Sequence, residues 1–98
     1  MEFSVRLHRH TDELILAVCD IEILGKTFRA DGLKLEVHEG FYGGDTVSEE
    51  EYRRALRNAS VVNITGNAAV AIAIEEGLID PSSVIEVDGV KHAQAVKM

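Results

Sequence analysis

A histidine and a glutamine two residues apart, His92 and Gln94, are the side chains whose placement suggests chemistry or ligand binding. They follow an Asp-Gly dipeptide at 88–89, the strongest short signal for a two-residue hairpin turn in this sequence. Such a turn pairs Ile85 with His92 and puts His92 and Gln94 on one face among apolar neighbours. Burying either polar group without a partner costs roughly 1–3 kcal/mol. We expect them either to bond each other and the backbone, or to face a cleft and hold a ligand.

His92 is also the residue best suited to acid–base catalysis, because the reference pKa of histidine is about 6.5. A small enzyme would need a second group beside it, and Cys19 and Tyr42 are the candidates. No spacing in the sequence ties either residue to His92. Cys19 also precedes Asp20, and a neighbouring carboxylate raises rather than lowers the pKa of a thiol. We therefore name no catalytic residue and expect binding rather than enzyme activity.

A second candidate site is the aromatic and glycine-rich loop formed by Phe41, Tyr42, Gly43 and Gly44. Glycines let a ligand approach the backbone closely, or let the chain adopt positive φ. Adjacent aromatic rings can stack on a base, a sugar or a partner side chain. The structural alternative is that Phe41 fills the core, Tyr42 lies at its rim and the glycines form a turn.

Gly66 and Asn67 form a third candidate, since they open a predicted helix directly after a predicted strand. The free amides at a helix N-terminus attract anions, and the hydroxyl of Thr65 is next to them in the sequence. A single glycine is nevertheless a weak signal for a ligand site. An ordinary N-cap formed by Thr65 or Asn67 explains the same residues.

The other charged groups indicate solvated surface rather than a metal or nucleic-acid site. His8 and His10 share one face of a predicted strand with Arg6, which repels a cation, and no carboxylate has matching spacing. The arginines within 53–57 are balanced by the glutamates at 49–51. We therefore predict no metal ligands and no cofactor.

Composition narrows the class of protein. The 98 residues fit one domain, and their 46% apolar and 28% charged content is ordinary for a folded soluble chain. A net charge of −7 disfavours general binding to nucleic acid or to an anionic membrane, although a local basic patch remains compatible with it. The N-terminus has no apolar segment typical of a signal peptide, and the one cysteine permits no internal disulfide. These features favour a cytoplasmic location.

The predicted architecture is organised around residues 61–78, which read as a buried strand, a Gly-Asn turn and a helix. Seven consecutive apolar residues, Ala68–Ile74, leave this helix without a polar face, so we expect protein to surround it. A bilayer-spanning helix needs about 20 such residues. Gly77 suits a left-handed C-cap.

Two hairpins are predicted at the ends of the chain. Residues 2–9 alternate apolar and polar side chains, and the continuous apolar run 14–19 follows them, which indicates an N-terminal hairpin. Residues 84–87 and 90–96 flank the Asp-Gly turn and form a C-terminal hairpin.

A second helix is predicted in the middle of the chain, where Ser48 and Glu51 form a capping box and the helix runs to about Asn58. The remaining predictions are a turn at 21–24 capped by Asp20, strands at 27–29 and 33–37, and a loop at 39–45. Together these elements favour a single α+β domain over residues 1–98. Its architecture is a two-layer α/β sandwich with a mostly antiparallel sheet, whose N-terminal and C-terminal hairpins pack on two main helices.

Several short motifs occur in a characteristic order and spacing. They are Cys19-Asp20, Leu24–Phe28, Phe41–Gly44, Gly66-Asn67 with Ala73-Ile74 and Gly77, and Gly89-Val90 followed by His92–Gln94. Over nearly its whole length the chain resembles an archaeal family catalogued as domain of unknown function 424. The resemblance implies a small cytoplasmic archaeal protein with a two-layer α/β fold and no established activity.

Three functions remain open at this point. The first is a non-catalytic binding or adaptor domain with a protein partner, because the unusual residues are aromatic, glycine, histidine and glutamine; its contact surface would combine the Phe41–Gly44 loop with the His92/Gln94 hairpin. The second is association with RNA or the translation machinery through Arg53, Arg54, Arg57 and Tyr42, which the net charge of −7 opposes. The third is a small enzyme that uses His92. No membrane partner is expected, and the oligomeric state is left open.

Overall fold

A mixed six-stranded sheet divides the protein into two sides in the computed structural model, which describes residues 1–97. Its strands are β1 (Glu2–His10), β2 (Glu13–Asp20), β5 (Asp45–Ser48), β6 (Val61–Thr65), β7 (Ile85–Val87) and β8 (Val90–Val96). A separate hairpin consists of β3 (Thr27–Ala30) and β4 (Leu33–Glu36). The helices are α1 (Glu39–Tyr42), α2 (Glu49–Asn58) and α3 (Asn67–Glu75), with 3-10 turns at Ile21–Ile23 and Pro81–Ser83.

The strands of the large sheet lie in the order β5-β1-β2-β6-β8-β7. All neighbours are antiparallel except β2 and β6, which are parallel because the chain between them returns along the sheet through α2. Parallel neighbours need such a long crossover. The predicted α+β fold is confirmed, with its mostly antiparallel sheet and its N-terminal and C-terminal hairpins packed on two main helices.

One face of the sheet carries the main core beneath α2 and α3. The ring of Tyr52 on α2 packs against Phe3 on β1 with ring centroids 4.9 Å apart, and its hydroxyl donates to the carbonyl of Ala69 on α3 at 2.7 Å. This one side chain therefore joins the sheet and both helices. The predicted capping box is confirmed, since the hydroxyl of Ser48 accepts from the amide of Glu51, whose carboxylate accepts from the amide of Ser48.

Helix α3 is less enclosed than its composition indicates. Ala69, Val70, Ile72 and Ala73 are buried against the sheet, but Ala71 is exposed. The expectation that protein surrounds this helix was therefore wrong: α3 is an outer layer whose open side carries a small side chain instead of a charge. Gly77 ends the helix with φ of +78°, as predicted. Among residues 1–97, no helix is long and apolar enough to cross a membrane.

The other face of the sheet is partly covered by the β3–β4 hairpin and by α1. Ala17 and Cys19 on β2 pack there against Val37 and Tyr42. The loop predicted over 39–45 is instead the single turn of α1 followed by the start of strand β5. Both elements depend on tertiary contacts: α1 buries Tyr42 on the sheet, and β5 pairs with the first residues of β1. This layer positions the candidate site.

Candidate functional site

Two rows of mostly polar side chains cross the partly covered face of the sheet, and the strand register fixes both rows. Directly paired residues lie on the same face of a sheet, so each row runs across four neighbouring strands. The first row is Ser4, Cys19, Thr65 and His92, and the second row is Arg6, Ala17, Asn63 and Gln94. The strand pairing thus brings together residues that are far apart in the sequence.

Tyr42 lies over these rows and links them. Its hydroxyl donates to the Oδ1 atom of Asn63 at 2.5 Å and accepts from the hydroxyl of Thr65 at 3.0 Å. Its carbonyl accepts from the hydroxyl of Ser4 at 2.8 Å. Burial raises the pKa of the Tyr42 phenol, and only 5% of the residue is exposed. Tyr42 therefore anchors α1 to the sheet and does not form part of an outer surface.

His92 continues this chain of hydrogen bonds. Its Nδ1 atom lies 2.8 Å from the hydroxyl oxygen of Thr65, and its Nε2 atom lies 3.1 Å from the amide nitrogen of Gln94. Because the one hydroxyl hydrogen of Thr65 goes to Tyr42, the hydrogen between Thr65 and His92 must belong to Nδ1. Nε2 then accepts from Gln94. Burial lowers the pKa of His92, which is consistent with this neutral tautomer.

The C-terminal hairpin has the predicted register, with Ile85 opposite His92. Of the two arrangements left open for His92 and Gln94, the described contacts agree with mutual hydrogen bonding. The further partner of His92 is the hydroxyl of Thr65 rather than a backbone group. His92 is half-buried and Gln94 is exposed, so the hydrogen-bond chain ends at the surface with the amide of Gln94.

Cys19 lies in the first row next to Thr65, and it is fully buried. Burial raises the pKa of its thiol to about 12, and the charges of Asp20 and Glu22 add to this effect. At neutral pH the thiol therefore stays protonated, which makes it a poor nucleophile. The groups proposed for catalysis are therefore neighbours, but Tyr42 and His92 both bond to Thr65 and the thiol is inert.

Phe41 is the aromatic residue of the loop that reaches the surface. It is half-buried and stacks on His8, with ring centroids 4.7 Å apart and planes inclined by 14°. The Nε2 atom of His8 lies 2.8 Å from the carbonyl oxygen of Phe41. His8 is thus held by α1 instead of standing free on the strand.

Gly43 and Gly44 allow a close approach of chain segments to each other. A Cβ atom on Gly44 would overlap the carbonyl oxygen of Val5 on β1, and one on Gly43 would lie 2.5 Å from the carbonyl oxygen of Glu39. Neither glycine has a positive φ angle. Their role in the fold is to let the chain pass from α1 to β5 tightly against β1.

Gly66 and Asn67 begin α3, and Asp20 at the end of β2 caps this helix. The Asp20 carboxylate accepts from the amides of Ala68 at 3.1 Å and Ala69 at 2.8 Å. The predictions that Thr65 or Asn67 caps this helix, and that Asp20 caps the turn at 21–24, were therefore wrong. Burial raises the pKa of Asp20 against the lowering effect of these two bonds.

This arrangement also explains Gly66 and Asn67 without a ligand. Gly66 has φ of +122°, and a Cβ atom there would overlap the Asp20 carboxylate. The side chain of Asn67 donates to the carbonyl of Gly89 and accepts from the amide of Lys91, each at 2.9 Å. Asn67 therefore ties the start of α3 to the C-terminal hairpin, while the carboxylate occupies the place of an anion at the helix N-terminus.

The arginines of α2 are paired with acids on the helix side of the sheet. Arg53 bonds to Glu49, Glu75 and Glu76, and Arg57 also bonds to Glu76. Arg54 bonds to Glu50. Because Tyr42 lies on the opposite face, the patch proposed for RNA from these arginines and Tyr42 does not form. Within residues 1–97, no three His, Cys, Asp or Glu side chains come together in a way that could hold a metal ion.

Sequence reasoning missed Asn63, and it considered Thr65 only beside Gly66 and Asn67 and not as a partner of Tyr42 and His92. Asn63 and Thr65 both lie in the apolar strand β6, where they alternate with Val62 and Ile64. This period of two puts them on one face, so the pattern itself contained the signal. Their importance becomes visible only when β6 is paired between β2 and β8.

Comparisons with known proteins agree with this fold. The chain matches the family described as "Protein of unknown function (DUF424)" over residues 8–98. The crystal structure of an uncharacterized conserved protein from Methanopyrus kandleri is similar, with a TM-score of 0.77 and 24% identity over 100% of this chain and 95% of that chain. This likeness shows the fold alone. No curated protein matches the chain. Because the family match covers most of the sequence, the protein belongs to the DUF424 family.

Proposed function

We propose that the protein is a non-catalytic binding domain that acts as an adaptor for a protein partner in the cytoplasm. One observation carries this proposal: the hydrogen-bond chain from Tyr42 through Thr65 and His92 ends at the exposed amide of Gln94. The groups that could transfer protons, the Tyr42 hydroxyl and the His92 ring, both bond to Thr65 inside this hydrogen-bond chain. The exposed end of the hydrogen-bond chain is the amide of Gln94, which donates and accepts hydrogen bonds without titrating.

The contact surface of this proposal, called the amide surface below, consists of Asn63 and Gln94, which are paired across β6 and β8. The next register row, toward the β1–β2 turn, adds apolar side chains, of which Val96 is 67% exposed. Phe41 stacked on His8 borders it on the β1 side. Exposed apolar patches that are bordered by polar residues mark sites of interaction with other proteins.

RNA is the second candidate, and one observation favours it. Arg6 lies in the same row as Asn63 and Gln94, and in the described chain its guanidinium bonds only to the carbonyl of Gly43, at 3.3 Å. An arginine beside amides suits a phosphate next to a base edge. The net charge of −7 and the paired arginines of α2 count against this candidate.

The test is affinity capture from an extract of the native host at low salt, with bound protein and RNA both identified. Wild type is compared with Gln94→Ala and with the control Glu50→Ala, which removes an 84% exposed carboxylate on the helix side. We expect a protein retained by wild type and by the control, lost with Gln94→Ala, and resistant to nuclease. Equal retention by Gln94→Ala would contradict the proposal. Loss on nuclease treatment would favour RNA, and absence of RNA at low salt would eliminate it.

A further inference from the structure

The second half of β1 has one unpaired edge. Strand β2 pairs with β1 as far as His10, whereas β5 on the other side pairs only with Glu2–Val5. The two-residue turn between His10 and Glu13 makes these two a hydrogen-bonded pair, so His8 and Arg6 also bond toward β2. The N–H and C=O groups of Leu7 and Arg9 therefore point away from β2. In the part of the chain that the structure describes, no strand pairs with them.

An apolar groove of about 230 Å³ lies beside this edge, on the helix side of the sheet. Its apolar lining comes from the N-terminal hairpin, from α2 and from the residue after α2, namely Val5, Leu7, Leu14, Leu16, Ala55 and Ala59. Asp45 and Asn58 complete the lining. Leu7 is 54% exposed although it shares the core face of the sheet. Sites for drug-sized ligands are about 300–1,000 Å³. This groove is smaller and has the dimensions of a recess for one or two side chains.

Two charged residues limit what can bind at this edge: Asp45 lines the groove opposite Val5, and Arg9 lies farther along β1, beyond Leu7. Arg9 follows Leu7 on the same face of β1, it is exposed, and it forms no ion pair within residues 1–97. A residue placed directly opposite a strand residue lies on the same face of the sheet. A strand added at this edge would therefore place one side chain opposite Leu7 over the groove and another opposite Arg9.

We propose that this edge of β1 binds an extended segment of a protein partner, which adds as a strand along Leu7–His10. The segment carries an apolar residue opposite Leu7 and a carboxylate opposite Arg9, separated by one residue. Backbone hydrogen bonds to Leu7 and Arg9 supply affinity, and the groove and guanidinium supply specificity. The groove at this docking edge lies on the face of the sheet opposite the amide surface, so an adaptor would have two contact regions.

A second copy of this chain is a poorer occupant of the edge. An antiparallel pair centred on His8 would set Leu7 against Arg9 and His8 against His8. The two copies would then place an arginine over the groove, whose apolar lining favours an apolar side chain. The open backbone groups and the unpaired Arg9 fit a partner with acidic and apolar residues better.

The test uses random seven-residue peptides displayed on phage and selected against the intact protein. We expect the selected peptides to share an apolar residue and an Asp or Glu two positions apart. Leu7→Thr should weaken their binding about tenfold or more. The control Leu33→Thr removes a leucine of nearly the same exposure, 53%, from the β3–β4 hairpin and should change binding less than about twofold. Arg9→Glu should change the selected acidic residue to Lys or Arg.

Hydrogen exchange supplies a second readout with a synthetic copy of the best peptide. Binding should protect the amides of Leu7 and Arg9 and leave the already bonded amides of His8 and His10 unchanged. Three results would overturn the proposal: no selected peptide, peptides that bind Leu7→Thr and Arg9→Glu as well as wild type, or self-association that Leu7→Thr abolishes. Gln94→Ala should leave peptide binding intact, which separates this docking edge from the amide surface.

Discussion

At the scale of single residues, the protonation of His92 follows from its two hydrogen bonds. Nδ1 donates to Thr65, and Nε2 accepts from Gln94. Replacing the amide donor by a carboxylate acceptor in Gln94→Glu favours a hydrogen on both ring nitrogens. We expect the pKa of His92 to rise well above the wild-type value. NMR titration of the ring measures this pKa, and an unchanged pKa for His92 would contradict the assigned bonds.

The hydroxyl of Tyr42 makes a second prediction at this scale. Tyr42→Phe removes the hydroxyl that donates to the side-chain Oδ1 atom of half-buried Asn63 and accepts from the hydroxyl of buried Thr65. Leaving buried polar groups unpaired should lower the free energy of unfolding by about 1–3 kcal/mol. Urea denaturation measures the change. Phe41→Leu, which removes the surface stack with His8, is the comparison and should cost less. A loss below about 0.5 kcal/mol for Tyr42→Phe would show that the hydroxyl is dispensable.

At the scale of elements, the accuracy of sequence reasoning depended on whether a signal was local. The capping box of Ser48 and the turn at 88–89 are local, and both the helix and the hairpin are where the sequence predicts them. Helix α1 and strand β5 were missed because each is short and exists through contacts with β1. The same holds for the candidate site: the register of His92 was predictable, but its bond to Thr65 required the pairing of β6 with β8.

The cap of α3 is a non-local feature with a measurable energy. Asp20→Ala removes the carboxylate that accepts from the amides of Ala68 and Ala69. We expect a loss of about 1–2 kcal/mol in the free energy of unfolding and faster hydrogen exchange in the first turn of α3. Asp12→Ala, in the exposed turn between β1 and β2, is the matched control. Equal stability of the two variants would contradict the capping role of Asp20.

At the scale of the whole molecule, the two sides of the sheet differ in the pH range where they affect stability. Burial lowers the pKa of His92 below 6.5, so its contribution is present above about pH 6.5 and is lost as the pH falls through the folded-state value. On the helix side, hydrogen bonds from Ser48 and Arg53 lower the pKa values of Glu51 and Glu76 below 4.5. Their contributions are lost only at lower pH.

The variant His92→Gln tests whether His92 causes the loss of stability in the higher of these two pH ranges. We expect wild type to lose stability as the pH falls below about 6.5, and His92→Gln to lose less over the same pH range. Asp20, whose pKa is raised by burial, acts in the opposite direction in both proteins and cancels in the comparison. Urea denaturation at a series of pH values provides the measurement. If the free energy of unfolding depended on pH in the same way in both proteins, His92 would not be the source of the loss.

The hydrogen-bond chain from Tyr42 to Gln94, on which the proposed function rests, requires one particular tautomer of His92. Nitrogen-15 NMR of the histidine rings at pH 7 measures this directly, because it distinguishes the two neutral tautomers from the imidazolium. We predict a neutral His92 with the hydrogen on Nδ1 and an unprotonated Nε2 facing Gln94. A ring protonated on Nε2, or charged at pH 7, would contradict the hydrogen-bond chain and the function proposed from it.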